Sequence, residues 1–201
     1  MDKLHVLDLY CGAGGFSEGF RKVEEIEILH GVDNNKDALE VFNKNHNGKG
    51  LEVDLSKAGP EEFFKEYAEI SKTDVDIVIG GPPCQGFSVA GEQAEEDKRR
   101  NHIDVFLDYV EFIKPLGVVI ENVPNLENEL HDNGLDYREH IHKRLNDAGY
   151  QTESQVVNSA KFGVPQTRRR LFFLSVKTGR DFDFPEQTYK ILNNGDQEYG
   201  G

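Results

Sequence analysis

The chain is poor in cysteine, in long apolar runs and in positive charge, and each shortage excludes something. Two cysteines among 201 residues do not make a disulfide framework. Cys11 and Cys84 therefore read as free thiols in a reducing compartment, the cytoplasm. No apolar stretch is long enough for a membrane span, and Met1 leads straight into a polar, then strand-like segment without the pattern of a signal peptide. Lys and Arg number 23 against 37 Asp and Glu, a formal charge of −14. Taken alone, that balance argues against nucleic acid as a partner. The basic residues are clustered, however, in Lys98-Arg99-Arg100 and Arg168-Arg169-Arg170. Net charge governs solubility and long-range steering, and a local groove can still be positive. The chain contains no internal repeat and no low-complexity block, and its length suits one domain with a substantial core.

What is present is an alternation of strand and helix patterns. Apolar runs at 4–10, 26–32, 51–53, 75–79, 117–120, 151–158 and 171–176 read as strands. Between them, 16–23, 36–45, 60–70, 103–113 and 135–148 read as helices, with Pro60 at a plausible first-turn position. Short connections between alternating elements imply an open, mostly parallel, doubly wound α/β sheet with helices on both faces. The polar, glycine-containing segment 85–101 reads as a mobile loop, and 181–201 as a tail with little regular structure.

The polar and reactive residues fall where these strands end. Asp8 to Gly15, Asp33, Asp54, Pro82-Pro83-Cys84 and Glu121 all stand at predicted carboxyl ends, which line the ligand crevice of an open α/β sheet. The turn Gly12-Ala13-Gly14-Gly15 lets backbone approach a ligand before a helix N-terminus, or is a plain strand-to-helix connector. Asp33 suits two ribose hydroxyls, or caps the next helix; Asp54 suits an exocyclic amine, or a solvated turn. Together they describe a site for a nucleoside-bearing cofactor. The glycine turn lacks the full dinucleotide spacing and the phosphate-loop Lys-Ser/Thr, which disfavours NAD and ATP.

Cys84 leaves a buried strand at a stiff Pro-Pro step before a glycine-containing turn, which suits a nucleophile better than a core filler. Cys11, inside the glycine turn, reads as packing. Glu121 ends the apolar run Gly-Val-Val-Ile, where desolvation is expected to raise its pKa and keep a proton available. Arg168 and Arg170 alternate to one side of the following strand and Arg169 to the other; the plainer reading is a solvated basic edge.

In this order, the residues resemble the cytosine-5 DNA methyltransferase family. Asp8-Leu-Tyr-Cys-Gly-Ala-Gly-Gly-Phe16 resembles its S-adenosylmethionine motif, Gly81-Pro-Pro-Cys-Gln-Gly-Phe-Ser88 its nucleophile motif, Glu121-Asn-Val123 its sixth motif and Gln166-Thr-Arg-Arg-Arg170 its eighth. The resemblance covers roughly residues 4–178. It implies a Rossmann-like methyltransferase domain over 1–180, with S-adenosylmethionine as cofactor and double-stranded DNA as substrate. Tyr10 would lie on or beside the cofactor, with Cys11, Gly12, Gly14, Gly15, Phe16, Asn34, Leu55 and Pro83 around it. Asp33 would hold the ribose and Asp54 the adenine amine. Cys84 would attack carbon 6 of a flipped cytosine, Glu121 would contact its amine edge and ring nitrogen 3, and Arg168 or Arg170 would reach its carbonyl. Ser88 and Lys98 to Arg100 would contact phosphates.

The family continues past its eighth motif with a target-recognition region and closing motifs; nothing after Val176 resembles these except that Phe184-Pro185-Glu186-Gln187-Thr188-Tyr189 looks like the start of the continuation, so 181–201 would be a flexible tail or the start of a missing target-recognition region. The expectation is therefore a truncated chain, a catalytic half needing a complementing chain, or a remnant with a binding role. Two other functions stay open beside the DNA methyltransferase: a cofactor- or partner-binding module of the same fold, and a tRNA cytosine-5 methyltransferase.

Overall fold

The computed structural model describes residues 3–83, 102–191 and 197–199, in two compact units, residues 1–120 and 121–201. Cys84, Ser88, the loop 85–101 and Lys98 to Arg100 lie outside the described residues.

The first unit is built on β1, Leu4–Leu9, whose last four residues are fully buried. β1 pairs in parallel with β2, Ile26–Asp33, on one side and with β4, Ile77–Gly80, on the other. β3, Gly50–Glu52, extends β2, and β5, Gly117–Asn122, extends β4, both in parallel. The strand order is thus β3-β2-β1-β4-β5. The chain winds away from β1 in one direction and then returns to its other side, which makes the carboxyl ends of β1 and β4 the switch point where such sheets bind ligands.

Helices cover both faces. Val6 and Ile79 share a core cluster with Ile28, Cys11 and the buried Leu39 and Phe42 of α2, Lys36–Asn45, and Phe16 and Phe20 of α1, Gly15–Arg21, pack against it. Gly80 follows Ile79, so its Cα faces the opposite side. A Cβ there would lie 2.8 Å from Phe106 of α4, His102–Ile113, and 2.2 Å from the Leu9 carbonyl. α4 therefore lies close enough to admit only glycine. It buries seven side chains, and Tyr109 satisfies its hydroxyl by donating to the Ala58 carbonyl at 2.8 Å. α3, Pro60–Glu66, packs on α4 through Phe63 and Tyr109, ring centroids 5.6 Å apart. Burying rings of this size contributes roughly 1.5–3 kcal/mol each relative to exposure.

α3 is shorter than the expected helix over 60–70. The Phe63 carbonyl accepts from both Tyr67 and Ala68 N–H, a widened last turn that closes the helix. A capping box between Ser71 and Asp74 then begins a new short turn.

In the second unit, α5, Tyr137–Asp147, starts on Asp136, whose side chain accepts from the Glu139 N–H. β6, Tyr150–Asn158, and β7, Arg169–Lys177, form an antiparallel pair. Where the polar composition after Asp181 reads as an irregular tail, β8, Tyr189–Ile191, pairs with β9, Gln197–Tyr199. The Tyr189 ring covers Gly163, which has φ +82° and where a Cβ would lie 2.9 Å from that ring. No described helix is long and apolar enough to cross a membrane.

Candidate functional site

In the first unit a cavity of about 230 Å³ is lined by Tyr10, Asp33, Asn34, Val53, Asp54, Leu55, Gly81, Pro83 and His102. Its wall comes from the carboxyl ends of β1, β2, β3 and β4 and from the first residue of α4.

Two carboxylates in this wall are held in place. Asp33 Oδ2 accepts from the Gly12 N–H at 2.9 Å and Oδ1 from the Asn35 N–H at 2.8 Å. The glycine turn and the residue that caps α2 thereby aim one side chain. The helix is capped by Asn35, whose Oδ1 accepts from the Ala38 N–H at 3.1 Å, so Asp33 is not needed as the cap. Asp54 Oδ1 accepts from Ser56 Oγ at 2.6 Å and from its N–H at 3.1 Å, and Lys57 Nζ stands 3.1 Å from Oδ2. The Ser56 hydroxyl, foremost, holds the Asp54 carboxyl below its ordinary pKa. Both groups are acceptors, and Val53, Leu55, Tyr10 and Pro83 add apolar wall. Fixed carboxylate acceptors beside an apolar surface fit a nucleoside, whose hydroxyls and amine donate while its ring needs burial.

The remaining residues of the glycine motif serve this wall from behind. Cys11 is buried in the α2-facing cluster, and burial, foremost, pushes its thiol pKa far above the ordinary range. Its place is packing, as its position in the turn suggested. Gly14 has φ +86°, and a Cβ there would lie 2.7 Å from Phe42 and His46. Gly12 joins the wall through its N–H to Asp33, while Cys11, Gly14, Gly15 and Phe16 do not line the cavity. Beneath the turn, Asp8 is fully buried. Ser17 Oγ donates to its Oδ2 at 2.6 Å, and its Oδ1 has no hydrogen-bond partner among the described residues. Burial drives the Asp8 pKa up to about 7.

In the second unit, Glu121, Arg168 and Arg170 come together. Arg170 Nε is 2.9 Å and Arg168 Nη2 3.7 Å from the same Glu121 oxygen, Oε1. Two guanidinium groups thus face the Glu121 carboxyl at the end of its apolar strand. The partners lie nearly fifty residues away, and an apolar run read by itself does not reveal them. Arg170 is the more buried of the two, with 24% side-chain exposure against 50% for Arg168. Arg168 precedes β7, and Arg170 sits inside it.

His102 was missed by sequence reasoning. It carries no motif, but it opens the helix that follows β4, and the start of that helix lies at the same sheet end as the cavity. Tyr10, held at φ +61°, meets it edge-on, with ring centroids 5.5 Å apart and planes at 85°.

The chain is similar to known proteins along nearly its whole length. A family model described as C-5 cytosine-specific DNA methylase matches residues 4–198. The type II methyltransferase M1.HphI of Haemophilus parahaemolyticus is 35% identical over 94% of this chain and 50% of its own length. M.AgeI of Thalassovita gelatinovora is 31% identical over 92% of this chain and 42% of its own length. The chain thus spans about half the length of the curated relatives it matches. The crystal structure of the S. pombe Dnmt2 methyltransferase aligns with a TM-score of 0.71 over 90% of this chain and 53% of that one, at 24% identity, a likeness of fold.

Proposed function

We propose, from the premise that this chain belongs to the C-5 cytosine-specific DNA methylase family, that it holds S-adenosylmethionine and carries the catalytic residues of a DNA cytosine-5 methyltransferase. The observation that supports this most is the convergence of Asp33 and Asp54, each fixed by its own hydrogen bonds, on one cavity at the sheet's switch point.

In this reading Asp33 accepts from the ribose hydroxyls and Asp54 from the adenine amine, with Tyr10, Leu55 and Pro83 against the ring. Bound there, S-adenosylmethionine supplies an electrophilic methyl group. Cytosine carbon 5 is too weak a nucleophile to take it unaided. Cys84 Sγ, as thiolate, forms a bond to carbon 6 and pushes the ring electrons towards nitrogen 3 and carbon 5. Glu121 shares a proton with nitrogen 3 and accepts from the neighbouring amine, and an arginine donates to the ring carbonyl, so the charge that develops meets groups already in place. Transfer to carbon 5 would break the sulfonium–methyl bond and leave S-adenosylhomocysteine; carbon 5 would then lose its proton to solvent or a base, and the Cys84–carbon 6 bond would break to restore the ring double bond and the thiolate. The attacked base must leave the duplex stack.

The test is covalent trapping. A duplex with 5-fluorocytosine, given with S-adenosylmethionine, should leave a stable adduct on Cys84, because fluorine cannot leave as a cation where the carbon-5 proton does. The adduct should disappear in Cys84→Ser. No adduct, even with a target-recognition chain supplied, would leave the non-catalytic binding module as the better reading.

A further inference from the structure

His102 stands where three physical effects keep an imidazole uncharged. It is the first residue of a twelve-residue helix, at the positive end of the helix dipole, which disfavours imidazolium. It is half-buried, and desolvation, foremost, lowers its pKa; the charge of Asp54 opposes this. Its Nδ1 lies 3.4 Å from the Tyr10 hydroxyl. Burial, foremost, carries the Tyr10 phenol pKa well above the ordinary range, so Tyr10 keeps its proton and can donate.

Tyr10 needs such a hold. A left-handed φ of +61° is uncommon for a residue with a side chain and costs of order 1 kcal/mol or more. The conformation turns the ring into the cavity that Asp33 and Asp54 line. The contact made by His102 is both a ring edge and a polar atom, and it comes from an element 92 residues away.

We propose that His102 is a positioning residue for the cofactor, which holds the Tyr10 ring at the cavity wall by accepting from its hydroxyl and by edge-on ring contact. The proposal rests on the cofactor reading above and adds a residue that reading does not use. In the tautomer with hydrogen on Nε2, Nδ1 is the acceptor. A proton on Nδ1 converts it to a donor, so the phenol loses the acceptor that fixes its hydroxyl. Cofactor affinity is then coupled to the charge state of His102 and falls towards acid pH. Among the described residues, the titratable groups around it are Tyr10 after β1, Asp33 at the end of β2 and Asp54 after β3, all in the same cavity wall; its own helix carries Asp104 in the first turn.

Calorimetry with S-adenosylhomocysteine on the full chain, from pH 8 to pH 5, tests this. Wild type should lose affinity about five- to tenfold on acidification, the scale of one hydrogen bond. His102→Phe should show that loss already at pH 8, with no further pH dependence. His102→Asn keeps an acceptor near the Nδ1 position and should bind within about twofold of wild type at pH 8 with a flat profile. Tyr10→Phe should match His102→Phe, and the double variant should lose no more than either alone. A NMR titration without cofactor gives a separate readout: Tyr10→Phe should raise the His102 pKa, since neutral imidazole loses a donor. Wild-type affinity in His102→Phe at pH 8, parallel acid losses in both proteins, or an unmoved His102 titration each overturns the positioning role while the cofactor reading stands. No binding by wild type at any pH overturns the cofactor reading, and this proposal with it.

Discussion

Arg170 Nε lies 2.9 Å from Glu121 Oε1, with both side chains about three-quarters buried. The pair joins the carboxyl end of β5 to β7. Arg168 approaches the same Oε1 only to 3.7 Å and is half exposed. The two arginines are therefore not equivalent. Arg170→Ala is expected to cost about 1–3 kcal/mol, because a mostly buried carboxylate loses a charge-assisted hydrogen bond. Arg168→Ala is expected to cost less than about 1 kcal/mol, as exposed pairs do. Urea denaturation of the two variants checks the order.

The two carboxylates of the cavity should divide cofactor binding between them. Asp33→Ala removes acceptors for two hydroxyls and also releases the Gly12 and Asn35 N–H groups. It is expected to weaken S-adenosylhomocysteine about 10- to 100-fold. Asp54→Ala removes one acceptor and is expected to cost about tenfold. Calorimetry at neutral pH measures both, and equal affinity in all three proteins would remove the assigned roles.

Asp8 gives stability a pH dependence of known sign. Its folded pKa, about 7, stands above the ordinary 3.8 because burial disfavours the charged form. The folded chain therefore holds a proton that the unfolded chain releases. The stability this contributes is fully present below about pH 4, declines as pH rises towards 7 and stays lost above. The decline is at most roughly 4 kcal/mol. Asp8→Asn cannot ionise, and the fall in urea midpoint between pH 5 and pH 8 should shrink accordingly.

Two glycines of similar sequence character should respond oppositely to alanine. Gly80→Ala places a methyl 2.2 Å from the Leu9 carbonyl and should destabilise by about 2–4 kcal/mol, since backbone in a central strand cannot yield cheaply. Gly19 lies inside α1 with nothing within 4 Å of a would-be Cβ. Gly19→Ala should stabilise by about 0.5–1 kcal/mol through the lower entropy of the unfolded chain. Thermal melts of the two variants decide.

The strands and helices were legible because each is recorded locally. β1 and β4 are apolar runs closed by turn residues, and α2 carries its cap at Asn35 and its buried face at Leu39 and Phe42. Asp33 and Asp54 were legible as cavity-lining residues for the same reason: each stands at or just after a strand end, and strand ends in such a sheet share one edge. The early end of α3 was less visible, because the competing capping box at Ser71 and Asp74 outweighs a weak helical continuation. The hairpin of β8 and β9 was not legible in a short polar stretch.

The sequence by itself determined the family, the order of elements and the chemistry available at each strand end, since motif, period and turn residues are properties of neighbouring positions. Only the tertiary structure decided that Glu121 faces two guanidinium groups, that Asp8 is sealed from water beneath the glycine turn, and that His102 meets Tyr10. Charge state and ring orientation depend on what is brought near through space. For these residues the decisive neighbours, Ser17 apart, are remote in the chain, so no local pattern encodes them.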